Sequence, residues 1–385
     1  MCEGKKDLEL YIHIPFCIKK CNYCDFLSFP SKEEDREEYV QCLIEEIEQT
    51  GKVLDKNAYE VRSIFVGGGT PSLLSGEQVE RMMKAVRSMF YIKENAEITM
   101  EANPGTLTEE NLFSYKKAGV NRLSVGLQSA DDSCLHLLGR IHTWEEFLKS
   151  YHLVREAGFE NINIDLMSGL PGQTINSYRK TLERVMALRP EHISAYSLIL
   201  EEGTPFYASE DIRGRIPDEE VDREMYQLTK EILAENGYER YEISNYAVKG
   251  KECIHNLGYW SGVPYLGFGL GASSYFEGTR FSNERELEKY KKKPYVPFMM
   301  REEYTVLSKK DEMEEFMFLG LRKRAGVSKE EFRERFHLDM LDVYGKVISK
   351  YEEVDLLEWT DKGMMLRLTD AGIDVSDYIF CDFML

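Results

Sequence analysis

YIHIPFCIKKCNYCDF, residues 11–26, joins an alternating apolar run to three cysteines spaced C-x3-C-x2-C. The run has the two-residue period of a half-buried strand, and Cys17 follows it directly, so the thiols sit at the strand's carboxyl-terminal end. Phe26 stands two residues after Cys24, where a fourth cysteine would extend the pattern. A structural zinc ion takes four Cys or His ligands, commonly as two separated pairs. No second Cys pair is present, and His13 lies back on the strand. A cubane [4Fe-4S] cluster takes one Cys per iron, so three thiolates leave one iron open to a small molecule. Zinc and chance clustering remain the competing readings, and neither accounts for the count as well.

Working outward, short strand-like runs alternate with amphipathic helical runs. The strands are LELYIHI, VRSIFVGG, AEITMEAN, RLSVGLQ, NINIDLM and HISAYSLIL. The helical stretches between them are 34–53, 77–90, 109–117, 145–156 and 176–188. Ser31-x-x-Glu34, Ser75-x-x-Gln78 and Thr143-x-x-Glu146 have the form of capping boxes at helix starts. Gly119, Gly158 and Gly237 follow helical runs in KKAGV, REAGF and AENGY, as left-handed helix caps do. Six strand-then-helix units imply a parallel α/β sheet. Polar candidates fall near the end of almost every strand, which favours a full or partial (β/α)6 barrel over an open nucleotide fold.

The sequence divides at about residue 245. Residues 246–303 hold the Gly- and aromatic-rich HNLGYWSGVPYLGFGLGASSYF, expected as loop with short strands, and the basic, Pro-interrupted connector ERELEKYKKKPYVPFMMR. Residues 304–385 read as helices followed by a two-stranded ribbon, a small winged-helix-like domain. Such a shape often meets DNA, but 68 acidic against 49 basic residues give a net charge of −19, which disfavours nucleic acid. No apolar stretch reaches the roughly 18 residues of a spanning helix, and the start MCEGKKDLEL lacks a signal-peptide core. A cytoplasmic protein is expected. Eight cysteines are too sparse for a disulfide framework. Cys2, Cys42, Cys134 and Cys381 read as ordinary thiols, with Cys253 held in reserve as a ligand.

CxxxCxxC in a loop after the first strand resembles the radical SAM superfamily, and YIHIPFCxxxCxYC resembles its group containing oxygen-independent coproporphyrinogen III oxidase and related heme chaperones. The resemblance implies a partial radical SAM barrel in which Cys17, Cys21 and Cys24 hold a [4Fe-4S] cluster. The open iron would bind S-adenosylmethionine, and reductive cleavage would give a 5′-deoxyadenosyl radical. It also assigns Gly68, Gly69 and Thr70, in GGGTP at the end of the second strand, to S-adenosylmethionine. Glycines there allow close backbone approach. Glu101, Gln128, Arg140 and Asp165 match further positions used for this ligand. Arg140 is suited to a two-pronged carboxylate contact and Asp165 to a ribose diol. Tyr11 and Tyr23 match aromatic positions near the sulfonium and adenine.

Two departures separate this chain from the oxidase. Phe26 replaces the oxidase's further cysteine, and only ten residues precede Tyr11 where the oxidase has a longer arm. HNLGYW, His255 to Trp260, has the HNxxYW form of the chaperone subgroup. His255 is the candidate heme ligand within His255, Asn256, Tyr259 and Trp260, whose rings offer flat apolar faces. The other histidines, His13 and His192 among them, read as structural. The resemblance thus implies a heme carrier more than an enzyme, with no catalytic residue assigned. Its partners would be heme, a heme-acceptor protein, an electron donor and a transiently docked membrane protein. Porphyrinogen decarboxylation is the alternative.

Overall fold

A computed structural model describes residues 5–292 and 302–385. Six parallel strands form its centre: β1 (Lys6–Ile14), β2 (Tyr59–Gly68), β3 (Ile92–Ala102), β4 (Arg122–Gln128), β5 (Ile162–Ser168) and β6 (His192–Ser197). They lie side by side in chain order, each pair parallel. The intervening helices are α1 (Glu33–Val53), α2 (Gly76–Met89), α3 (Glu109–Lys117), α4 (Asp132–Leu138), α5 (Trp144–Glu156) and α6 (Ile175–Met186). This is the partial (β/α)6 barrel that the strand–helix alternation implied.

The side-chain period of a strand explains the two faces. In β1, Leu8, Leu10, Ile12 and Ile14 are buried in the main apolar core with Tyr39, Val40, Leu43 and Ile47 of α1. Glu9, Tyr11 and His13 alternate with them and face the barrel interior. That interior is polar along other strands too, through Glu97 and Glu101 of β3, Arg122 and Ser124 of β4, and Asn163 and Asp165 of β5.

Ser75 and Thr143 cap α2 and α5 with reciprocal boxes to Gln78 and Glu146. The start of α1 corrects the box placed at Ser31 and Glu34. There the Lys32 amide donates to Asp35 Oδ2 at 3.0 Å, one residue further on. Gly119, Gly158 and Gly237 all take positive φ.

Beyond β6 come α7 (Glu219–Glu235) and two short strands, β7 (Glu239–Arg240) and β8 (Asn245–Ala247), which extend the sheet on one side. The 246–303 segment carries the short strands expected there, and its Gly- and aromatic-rich part departs from that expectation in one helix. HNLGYW forms a helix, α8 (Ile254–Trp260), and β9 (Tyr265–Phe268) pairs in parallel with β1. β10 (Ser273–Phe276), β11 (Thr279–Ser282) and β12 (Glu302–Val306) then continue the sheet to twelve strands, order β12-β11-β10-β9-β1-β2-β3-β4-β5-β6-β8-β7. Of these strands only β9 pairs non-locally, with β1; β10 to β12 follow as antiparallel sequence neighbours. Within the basic connector, residues 287–292 are helical and Lys291 pairs with Glu38 of α1 at 2.5 Å. Residues 293–301 of that connector, and Cys2, lie outside the described residues.

The C-terminal unit has its own apolar core, including Met317, Phe332, Phe336, Tyr344, Ile348 and Phe383. It combines α9 (Lys309–Gly320) and further helices with a three-stranded antiparallel sheet of Val327–Ser328, Met365–Leu368 and Leu357–Thr360. One strand more than the expected ribbon completes the winged-helix shape. Among the described residues, no helix is long and apolar enough to cross a membrane.

Candidate functional site

The cysteine loop leaves β1 at Phe16 and returns at Phe29, where Phe16–Cys17 pairs in parallel with Phe29–Pro30. His13 fastens the loop from below. Its Nε2 bonds the Leu27 carbonyl at 2.9 Å, and its Nδ1 bonds the Tyr11 hydroxyl at 2.9 Å. Gly68, at φ 116°, lies flat over this ring, and a Cβ there would sit 2.6 Å from the imidazole. Only glycine fits both the backbone angle and the gap.

Above these residues opens a cavity of about 190 Å3. Its wall includes Cys17, Cys21, Cys24, Tyr23, Gly68, Gly69, Thr70, Glu101, Gln128, Arg140 and Asp165. Eleven side chains or backbones expected from four strand ends and two loops thus meet in one place. Tyr11 does not line it, because its hydroxyl is turned down to His13. Asn103, Ser124 and Tyr196 also line the cavity and were not picked out from the sequence.

The wall has polar capacity left over. Gln128 Oε1 and Arg140 Nε are buried without a partner. Gln128 has φ 72° beside a break in β4–β5 register, a strained placement that turns its amide toward the cavity. Gly68 N donates to Glu101 Oε2 at 2.9 Å. Burial, then the nearby Asp165, pushes the Glu101 carboxyl up to about 8. Burial also raises Asp165, although Asn163 and Ser124 hold its oxygens at 2.7 and 3.2 Å. His192 sets that Asn163 amide, with Nδ1 and Asn163 Oδ1 2.6 Å apart. A desolvated carboxylate pair favours a ligand that brings positive charge, as an ammonium and a sulfonium do. Arg140 donates to Asn103 Oδ1 at 2.5 Å, Gly126 O at 2.6 Å and Cys21 Sγ at 3.6 Å.

The three cluster cysteines carry free thiols. Among the described residues, no three His, Cys, Asp or Glu side chains converge closely enough to share a single metal ion. Thiols spaced around an open cavity suit a larger cubane, and Thr70 Oγ1 and Arg140 Nη1 already donate to two of the sulfurs. These residues therefore fit a [4Fe-4S] cluster with S-adenosylmethionine.

His255 stands elsewhere, beneath the barrel. It is 1% exposed, stacked on Phe65, with Nδ1 on Ser63 Oγ and Nε2 on Tyr259 Oη, each at 2.9 Å. Desolvation lowers its basicity to about 3. Both ring nitrogens are committed inside the protein, so the imidazole is not presented to an iron from outside. His255, the candidate heme ligand of the sequence reading, is thus turned inward in this structure. Tyr259 and Trp260 are likewise engaged, Tyr259 edge-on to His255 and Tyr265, and Trp260 beneath Arg322 at 4.5 Å. Asn256 is half-buried on the same helix. Cys253 is fully buried, donates to Glu97 at 3.3 Å and is pushed up to about 12, which removes it as the reserve ligand. Glu97 caps α8 by accepting from the Ile254 and His255 amides at 3.1 and 3.2 Å.

Six parallel strands, a three-cysteine loop at their carboxyl ends and a polar cavity beneath it define a radical SAM protein. The Radical SAM superfamily model matches residues 11–185, and the HemN C-terminal domain model matches residues 307–375. The chain is 38% identical to the heme chaperone HemW of Lactococcus lactis, over 99% of this chain and 98% of that protein. It is 37% identical to HemW of Bacillus subtilis, over 97% and 98%. This chain belongs to the HemW family. The coproporphyrinogen III oxidase HemN of Escherichia coli has the same fold, with TM-score 0.86 and 24% identity over 99% of this chain and 91% of that one.

Proposed function

We propose that this chain is a heme chaperone that holds a [4Fe-4S] cluster and S-adenosylmethionine at the barrel mouth, binds heme as cargo and transfers it to an acceptor protein. The supporting observation is near end-to-end kinship with HemW proteins. Phe26, 60% exposed where the oxidase pattern has a cysteine, agrees with it.

Cys17, Cys21 and Cys24 would hold the cluster, with S-adenosylmethionine beside it in the same cavity. Gly68, Gly69 and Thr70 supply close backbone, Glu101 and Asp165 supply acceptors, and Gln128, Arg140 and Tyr23 complete the wall. Bound together, the two cofactors supply one-electron reduction of the sulfonium. The protein's share is to orient them and to keep the site shielded. His255 contributes by holding the barrel floor, because reaching heme iron would cost both of its internal hydrogen bonds. The setting is the cytoplasm, with an electron donor for the cluster and an acceptor that docks transiently at a membrane.

The fold shared with HemN supports porphyrinogen decarboxylation as the second reading. Two anaerobic assays on one reconstituted preparation separate them. The expected result is stoichiometric heme uptake with no decarboxylation of coproporphyrinogen. Robust decarboxylation with cleavage of S-adenosylmethionine would overturn the carrier assignment.

A further inference from the structure

We infer that Asn103 is a positioning residue that fixes the direction of the Thr70 hydrogen bond to the Cys17 sulfur and thereby raises the cluster's reduction potential. The inference rests on the cluster reading of the three thiols.

Asn103 follows β3 in the turn EANPG, and its backbone is clamped on both sides. Its amide donates to Ser72 Oγ at 3.1 Å, and its carbonyl accepts from Thr106 Oγ1 at 2.7 Å. Ser72 and Thr106 hydroxyls lie 2.6 Å apart, which ties the clamp together. The side-chain amide then spans two groups. Oδ1 accepts from Arg140 Nη2 at 2.5 Å, and Nδ2 donates to Thr70 Oγ1 at 2.8 Å.

The orientation follows from chemistry. A guanidinium has donors only, so the amide oxygen must face Arg140 and the amide nitrogen must face Thr70. Thr70 therefore spends a lone pair on Asn103 and keeps its own proton for Cys17 Sγ, 3.5 Å away. At the other end, Arg140 Nη1 donates to Cys21 Sγ at 3.6 Å. Arg140 thus orients the amide, and the amide sets the polarity of the one arm that could run either way, Thr70 to Cys17. Donors to cluster sulfurs stabilise the more negative, reduced state and raise the potential.

An Asn103→Asp change keeps the shape but reverses one arm. A carboxylate accepts from both neighbours, so the Thr70 proton turns to it and leaves Cys17. The test measures the cluster midpoint potential by redox titration followed by electron paramagnetic resonance, on anaerobically reconstituted full-length chain without S-adenosylmethionine. Iron content is checked in each sample. Asn103→Asp and Thr70→Val are each expected to shift the potential to more negative values, and Thr70→Ser to leave it in place. The discriminating arm is the double variant. Once Asn103→Asp has removed the Thr70 donor, Thr70→Val should add little further shift, whereas independent effects would add. Additive shifts, or an Asn103→Asp potential equal to wild type, overturn the inference. If Asn103→Asp chain fails to retain iron, Thr70→Val and Thr70→Ser decide alone, and equal potentials in those two overturn it. A wild-type preparation with no cluster signal is a different result, which removes the cluster reading itself.

Discussion

The two ends of the barrel interior are built from the same strands and treat polar groups in opposite ways. At the mouth, β1 to β5 end in groups with bonding capacity to spare: three free thiols, Gln128 Oε1 and Arg140 Nε. At the floor, α8 closes the space over interlocked polar groups. His255 uses both ring nitrogens, and Glu97 accepts from Cys253, Ile254 and His255. Burial also works against charge on two neighbouring floor groups. Burial pushes Glu9 up to about 9 and His255 down to about 3, although they lie 3.8 Å apart. Glu9 Oε1 and Oε2, Thr99 Oγ1 and Arg122 Nε are also buried without a hydrogen-bond partner, so spare polar capacity alone does not mark a ligand site. What separates the two regions is space: the spare groups of the mouth face a cavity, and α8 packs over those of the floor.

The largest way to break the contrast is at the thiols. Cys24→Ser is expected to abolish the four-iron cluster while leaving the fold intact, read as iron and sulfide content beside a circular dichroism spectrum. Loss of fold together with iron would instead make the mouth a structural region. At the floor, Gly258 lies so close to Glu9 that an added Cβ would come 1.9 Å from Oε1. Gly258→Ala is expected to cost about 2–4 kcal/mol in denaturant unfolding through overpacking and desolvated polar contact, with cluster content unchanged.

Tyr259→Phe sharpens the comparison by freeing His255 Nε2 without changing the packing. About 1–3 kcal/mol of stability should go, the usual cost of a buried group losing its partner, while heme affinity holds. Tighter heme binding by that variant would return His255 to the role of ligand. The smallest effect concerns pH. With burial holding its carboxyl near 8, Glu101 is mostly protonated at neutral pH and gains charge above it. A cationic ligand prefers the ionised form, so S-adenosylmethionine affinity should rise about tenfold from pH 7 to 9 and release a proton on binding. Glu101→Gln should flatten that slope in an equilibrium titration. At the floor the pH effect lies in the acid range. His255 has a folded-state value far below that of an unfolded histidine, so its contribution to stability is present above about 6.5 and is lost as pH falls toward 3.

Much of this was legible in the sequence, for local reasons. Strand period, helix caps and positive-φ glycines are encoded within a few residues, and the six βα units emerge from them. The mouth was legible because its residues crowd the ends of successive strands, which a parallel sheet must bring together. The floor was not, because Glu9, Glu97 and Arg122 are deep in strands, and their partners on α8 are more than a hundred residues away. A signal was there in the alternation itself. Glu9-x-Tyr11-x-His13 and Glu97-x-Thr99-x-Glu101 place polar side chains on one face over a whole strand length, so the interior had to be polar at both ends. Likewise, HNxxYW reads locally as ligand chemistry. Only the fold reveals that His255 is answered by Ser63 and Tyr259, and that Gly258 is small because Glu9 lies against it.

The most direct test of the central claim is electron paramagnetic resonance of the reduced, anaerobically reconstituted chain before and after S-adenosylmethionine is added. The account predicts a single [4Fe-4S] signal whose shape changes when the ligand occupies the open iron. A signal indifferent to the ligand at saturating concentration, or no four-iron signal at full iron loading, would contradict it.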